Sequence, residues 1–152
     1  MRIVIFFSIL SSIFVLFGCQ EKNPIVVLET EVGFIGIEVF KNKAPISSYN
    51  FINYAEQDKF NGGEFYRVLN MQNQPDTECR IEVIQGGIGW NDSLPRFKPI
   101  IHETTDLTGI KHKKGVISMA RYEPGTATSE FFICLVDEPE LDFGGKRNVD
   151  GQ

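Results

Sequence analysis

The sequence predicts a single, mainly β domain, and three observations carry that reading. Short β-branched and aromatic runs recur along the chain, among them Ile25-Val26-Val27-Leu28 and Phe131-Phe132-Ile133. Such runs suit pleated, half-buried strands. Glycine-containing or polar segments separate them. One stretch, Ala44 to Ala55, carries helical signals instead.

At the N-terminus Arg2 precedes an apolar run from Ile3 to Phe17, which closes at Leu16-Phe17-Gly18-Cys19. A charged start, a short apolar stretch and a small residue before the break are the layout of a secretory signal. The cysteine after Gly18 resembles a bacterial lipobox, so residues 1–18 are expected to be a lipoprotein signal peptide and Cys19 the lipidation site. Residues 19–24 then form a tether, and 25–152 the folded domain. The same resemblance implies a place in the bacterial cell envelope, outside the cytoplasm, with the membrane reached through the N-terminal lipid.

Within the domain, Ile25 to Thr30 and the glycine-interrupted run Val32 to Phe40 read as two strands joined by a tight turn at Glu31-Val32-Gly33. The helix from Ala44 carries Pro45 in its first turn, where a missing N–H costs nothing. Phe51, Ile52 and Ala55 give it one apolar face. Phe60-Asn61-Gly62-Gly63 breaks it. Further strands are expected at Glu64–Leu69, Ile81–Gln85, Val116–Ala120 and Glu130–Leu135.

Composition excludes some classes of partner. The 152 residues carry 20 acidic against 15 basic side chains, a net charge of −5. An acidic chain without a basic cluster argues against nucleic acid. Its one basic run, Lys111-His112-Lys113-Lys114, reads as a solvated loop before a strand. His102 and Glu103 lack a third ligand at metal-binding spacing, so no metal and no cofactor is expected. Ser118 and Ser129 lack the strand-to-helix frame of an activated serine. Gln85-Gly86-Gly87-Ile88-Gly89 and Phe143-Gly144-Gly145-Lys146 read as turns, since neither has phosphate-loop spacing. Cys134 follows an apolar run and reads as a buried small hydrophobe, while Cys79 lies in a polar insert.

Four segments occur in an order that resembles the cyclophilin family: Phe65-Tyr66-Arg67-Val68, Ile84-Gln85-Gly86-Gly87, Gly115 to Arg121, and Thr128 to Cys134. That resemblance implies an antiparallel β-barrel with a capping helix, monomeric, that catalyses cis/trans rotation about peptidyl-prolyl bonds. Proline-containing polypeptide segments, among them exported proteins, would be its substrates. By the same resemblance Arg67 and Gln85 are the catalytic residues, Gln85 gripping the substrate carbonyl. Tyr66, Val83, Ala120, Arg121, Phe132 and Leu141 would bind substrate, with Phe132 as the floor of a proline slot. Alternation along the strand would aim Phe65 and Arg67 to one face.

Departures from the family pattern accompany the match. Met71 to Arg80 enlarges a turn that is usually short. Glu82 and Val83 replace an apolar aromatic and a methionine in one wall of the slot, Tyr66 stands where histidine is common, and Glu130 stands where glutamine is frequent. Arg121 replaces a frequent asparagine, and Glu140 a tryptophan of cyclosporin-sensitive members. The family pattern continues past Val149-Asp150-Gly151-Gln152 with a strand, a second helix and a closing strand. The domain is therefore expected to be C-terminally incomplete, its barrel unclosed. An inactive or purely proline-binding, chaperone-like module is the alternative that this implies.

Overall fold

The computed structural model describes residues 22–75, 78–89 and 94–151. The expected signal peptide and the lipidation site Cys19 lie outside them. Strands β1 (Ile25–Thr30) and β2 (Gly33–Glu38) form an antiparallel hairpin around Glu31 and Val32. Helix α1 (Pro45–Glu56) follows, then β3 (Glu64–Leu69), β4 (Val83–Gly87), the single turn α2 (Thr105–Thr108), β5 (Ile117–Met119) and β6 (Phe131–Cys134). A 3₁₀ turn at Pro139–Leu141 comes last. The second sheet is antiparallel, in the order β3-β4-β6-β5.

The expected mainly β, antiparallel architecture with a capping helix is therefore present. Among the described residues no ladder joins the two sheets, so they do not close into a barrel. Where β2 and α1 stand away from β5, a cleft of about 470 Å³ opens, lined by Ile37, Val39, Phe51, Val116, Ile117 and Met119. Strand boundaries shift modestly from the sequence reading: β4 begins two residues later, at Val83, and β5 holds three residues. The two shortest helical turns, α2 and the 3₁₀ turn, escape periodicity because each is shorter than the pattern that would announce it.

Alternation in the four-stranded sheet divides two cores between its faces. On one face Phe131 meets Phe51 of α1 edge-on at 5.5 Å between ring centroids, and Phe65 and Phe60 close on it at 5.9 and 5.7 Å. Ile37 and Val39 complete this core from the hairpin side. Leu69, Val83, Phe132, Cys134 and Leu141 pack together on the other face with Ile81. Residues 131 and 132 thus serve different cores. Burial pushes the Cys134 thiol up to about 12, and no disulfide joins it to Cys79.

Helix α1 has no side-chain cap from its own N-cap residue, Ala44. Its first N–H groups are satisfied from a distance instead. Ile46 N and Ser47 N donate to the two carboxylate oxygens of Glu103 at 3.0 and 2.6 Å. A carboxylate there answers both orphan donors and the positive end of the helix. At the other side of the helix Asn50 Nδ2 donates to Thr128 O at 2.6 Å, which holds the approach to β6. Replacing Glu103 by alanine should cost about 1–2 kcal/mol in urea unfolding. Stability unchanged by Glu103→Ala would show that the cap contributes nothing.

Candidate active site

Strand β3 does not run straight past β4. Phe65 lies opposite Gly86 and Arg67 opposite Gln85, so Tyr66 is an extra residue in the ladder. A bulge of this kind breaks strict alternation and re-aims side chains. Phe65 turns to the Phe131 core, whereas both Tyr66 and Arg67 reach Gln85. The expected common face for Phe65 and Arg67 is therefore corrected: one extra residue parts them.

Gln85 in turn lies opposite Phe132 of β6, which lies opposite Ser118 of β5. Three strands thereby bring Arg67, Gln85 and Phe132 to one face. Arg67 is exposed, and its Nη1 donates to Gln85 Oε1 at 3.3 Å. Gln85 Nε2 donates to Tyr66 Oη at 2.9 Å, and Tyr66 Oη donates to Glu130 Oε2 at 2.6 Å. Burial, together with the Glu130 carboxylate, holds the Tyr66 phenol well above its ordinary value.

Other predicted site residues take different stations. Val83 and Leu141 are each 2% exposed and pack beneath the face rather than on its surface. Ala120 leans on the same core, its N–H donating to Glu130 O at 2.8 Å. The Arg121 side chain turns away, donating to the Asp150 carboxylate at 3.0 Å and to Gly151 O. Glu140 Oε2 accepts from Lys146 N at 2.8 Å. Part of the enlarged turn folds onto the site's core, where Gln74 exchanges bonds with Ile81 O at 2.8 Å and Ile81 N at 3.2 Å. Among the described residues no group of three or more His, Cys, Asp or Glu side chains is placed to hold a metal ion.

One support of the site was not legible in the sequence. His112, expected in a solvated loop, is buried, while Lys111, Lys113 and Lys114 around it are exposed. Its ring stacks nearly parallel to Phe132, with 6.0 Å between centroids. Nδ1 donates to Asp142 Oδ1 at 2.9 Å, which leaves Nε2 to accept from Ser118 Oγ at 3.2 Å. The imidazole thus fixes Phe132 between β5 and the segment carrying Leu141. The partners are 30 residues apart at Asp142 and six at Ser118, too irregular a spacing to read as a motif.

A surface arginine and an amide on an apolar floor offer hydrogen-bond donors and an acceptor, and no nucleophile. The comparisons with known proteins agree with that chemistry. The model of the cyclophilin type peptidyl-prolyl cis-trans isomerase family matches residues 25–150. A peptidyl-prolyl cis-trans isomerase of Acinetobacter baylyi is 36% identical over 124 residues, covering 79% of this chain and 59% of that protein. Peptidyl-prolyl cis-trans isomerase B of Escherichia coli is 34% identical, over 80% of this chain and 68% of its own length. A Helicobacter pylori isomerase is 33% identical, with 86% and 73% covered. This chain belongs to the cyclophilin-type peptidyl-prolyl isomerase family. It spans about three fifths of the Acinetobacter protein's length.

Burial holds the His112 imidazole below its ordinary value, with Asp142 opposing and Lys111 reinforcing the shift. In the unfolded chain the ring takes up a proton below about pH 6.5, whereas the folded protein resists doing so. Stability from this residue is therefore complete above that value and declines as pH falls below it. Urea unfolding at about pH 7.5 and about pH 5.5 should show a steeper acid loss in the parent than in His112→Gln. The difference is bounded by about 1.4 kcal/mol per pH unit. Parallel pH profiles would contradict the assignment.

Proposed function

We propose that this protein accelerates cis/trans isomerisation of X-Pro bonds in polypeptides exported across the cytoplasmic membrane, and that it works at the cell envelope as a lipid-anchored monomer. The observation that carries the catalytic part is the meeting of Arg67 and Gln85 on the Phe132 face, 3.3 Å apart.

The barrier to rotation about an amide is about 18–20 kcal/mol, because resonance must be broken. Without help an X-Pro bond rotates in tens to hundreds of seconds. As the bond twists, its nitrogen becomes pyramidal and the lone pair becomes a hydrogen-bond acceptor. A guanidinium aimed at that nitrogen stabilises the twisted state more than either planar state, which is the condition for catalysis. Arg67 suits the role because it stays charged and presents rigid donors. Gln85 holds the substrate carbonyl, Phe132 receives the proline ring, and the Ala120-Arg121 backbone flanks the residue before proline. No bond is made or broken, so proton transfer and covalent intermediates have no part.

A proline-binding module without turnover is the second reading. Glu82 and the buried Val83 favour it, since the family's aromatic and methionine are missing from that wall of the slot. Relaxation of an X-Pro reporter peptide separates the two. Arg67→Ala should lower kcat/KM by about 10²-fold or more with the circular dichroism spectrum unchanged. A folded parent that binds the peptide without accelerating relaxation would transfer the case to the second reading. For the anchor, Cys19→Ala should move the protein from the membrane fraction to the soluble fraction. Retention on the membrane would contradict lipidation at that cysteine.

A further inference from the structure

Four side chains run in one file from the exposed Arg67 into the partly buried ground beside β6: Arg67, Gln85, Tyr66 and Glu130. The two ends have fixed polarity. A guanidinium only donates, and an ionised carboxylate only accepts. Between them stand two groups that could each point either way, an amide and a hydroxyl. With both ends fixed, one direction satisfies every link. Arg67 donates to the Gln85 oxygen, the Gln85 amide nitrogen donates to Tyr66, and Tyr66 donates to Glu130.

The far end of the file is built for a carboxylate. While Oε2 accepts the Tyr66 hydrogen bond, Oε1 accepts from Ser129 Oγ at 2.9 Å and from Gly89 N at 3.2 Å. All three neighbours are donors. The Arg96 guanidinium donates to Gly89 O and so helps fix that loop. Space is reserved as well: at Gly87, where φ is +144°, an added Cβ would lie 2.7 Å from Glu130 Oε2. Burial and the carboxylate keep the phenol protonated, as a donor must be.

We propose that Glu130 is a positioning residue which, through Tyr66, fixes the orientation of the Gln85 amide and so aims the Arg67 guanidinium. This rests on the isomerase reading above and deepens it. Tyr66 and Glu130 act as a matched pair. A glutamine at 130 cannot replace the carboxylate: if its oxygen faces Tyr66, its NH₂ group confronts the Gly89 N–H. If its NH₂ group faces Tyr66, the file reverses, and the Gln85 NH₂ group is turned onto the Arg67 donors.

The test compares full-length parent, Glu130→Gln, Tyr66→Phe and the double variant in two measurements. In the peptide relaxation assay, each single change should lower kcat about tenfold while KM stays within about twofold. The double variant should be no worse than the poorer single, since both break one file. In ¹⁵N spectra the Gln85 side-chain amide pair should shift in each variant, while backbone signals of the Phe131 core stay in place. A folded Glu130→Gln protein with parental kcat and unmoved Gln85 amide signals would overturn the proposal. So would additive losses in the double variant. If the parent shows no turnover, the isomerase reading fails, and the Gln85 amide signals alone then decide whether Glu130 sets its orientation.

Discussion

The extra residue at Tyr66 in the β3–β4 ladder is the constraint on which the site depends. In an unbroken ladder Phe65 and Arg67 would share a face, and either the guanidinium would enter the aromatic core or Phe65 would leave it. The bulge lets Phe65 join Phe131 and Phe51 while Tyr66 and Arg67 both address Gln85. Glycines make the crossing possible. A Cβ at Gly86 would sit 2.7 Å from the Phe65 ring, and one at Gly63 would sit 2.5 Å from Gly87 O. The Gln-Gly-Gly segment is thus less a ligand-binding loop than the close-packed partner that a bulged strand needs.

From that slip the division of labour across the sheet follows. One face is an ordinary aromatic core under the hairpin and α1, and it supplies stiffness. The other is a small apolar floor with a charged donor at its rim, and it carries the candidate site. The floor is held from below by a neutral histidine bonded at both nitrogens, and the rim by a file of hydrogen bonds ending in a carboxylate. Partly buried networks of this kind are worth most when every member is satisfied. The surroundings of Arg67 therefore draw on residues from β3, β4, β6 and the loops around them.

The strands and α1 were legible because their signals are local: β-branched runs, alternation, a proline in the first turn. Arg67, Gln85 and Phe132 were legible only through their order and motif, since any one of them taken alone is an ordinary strand residue. What the sequence hid depends on contacts between distant segments. Nothing in Phe65-Tyr66-Arg67-Val68 announces a bulge, because the extra residue is defined by its partner strand. Glu103 reads as a stray metal ligand until α1 is laid against it. His112 reads as part of a basic loop until Asp142 returns to it. The Arg121 side chain pairs with Asp150 and Gly151, about thirty residues away, a contact that no local pattern announces.

The Arg67–Gln85–Phe132 face is proposed to receive a proline and let its peptide bond turn. One exchange spectrum tests it: a peptide with a ¹³C-labelled proline ring, mixed with a sub-stoichiometric amount of the full chain. Cross-peaks between the cis and trans proline signals are expected on a sub-second timescale, together with contacts from the proline ring to the Phe132 ring. A folded protein that gives neither exchange nor contact at Phe132 would contradict it.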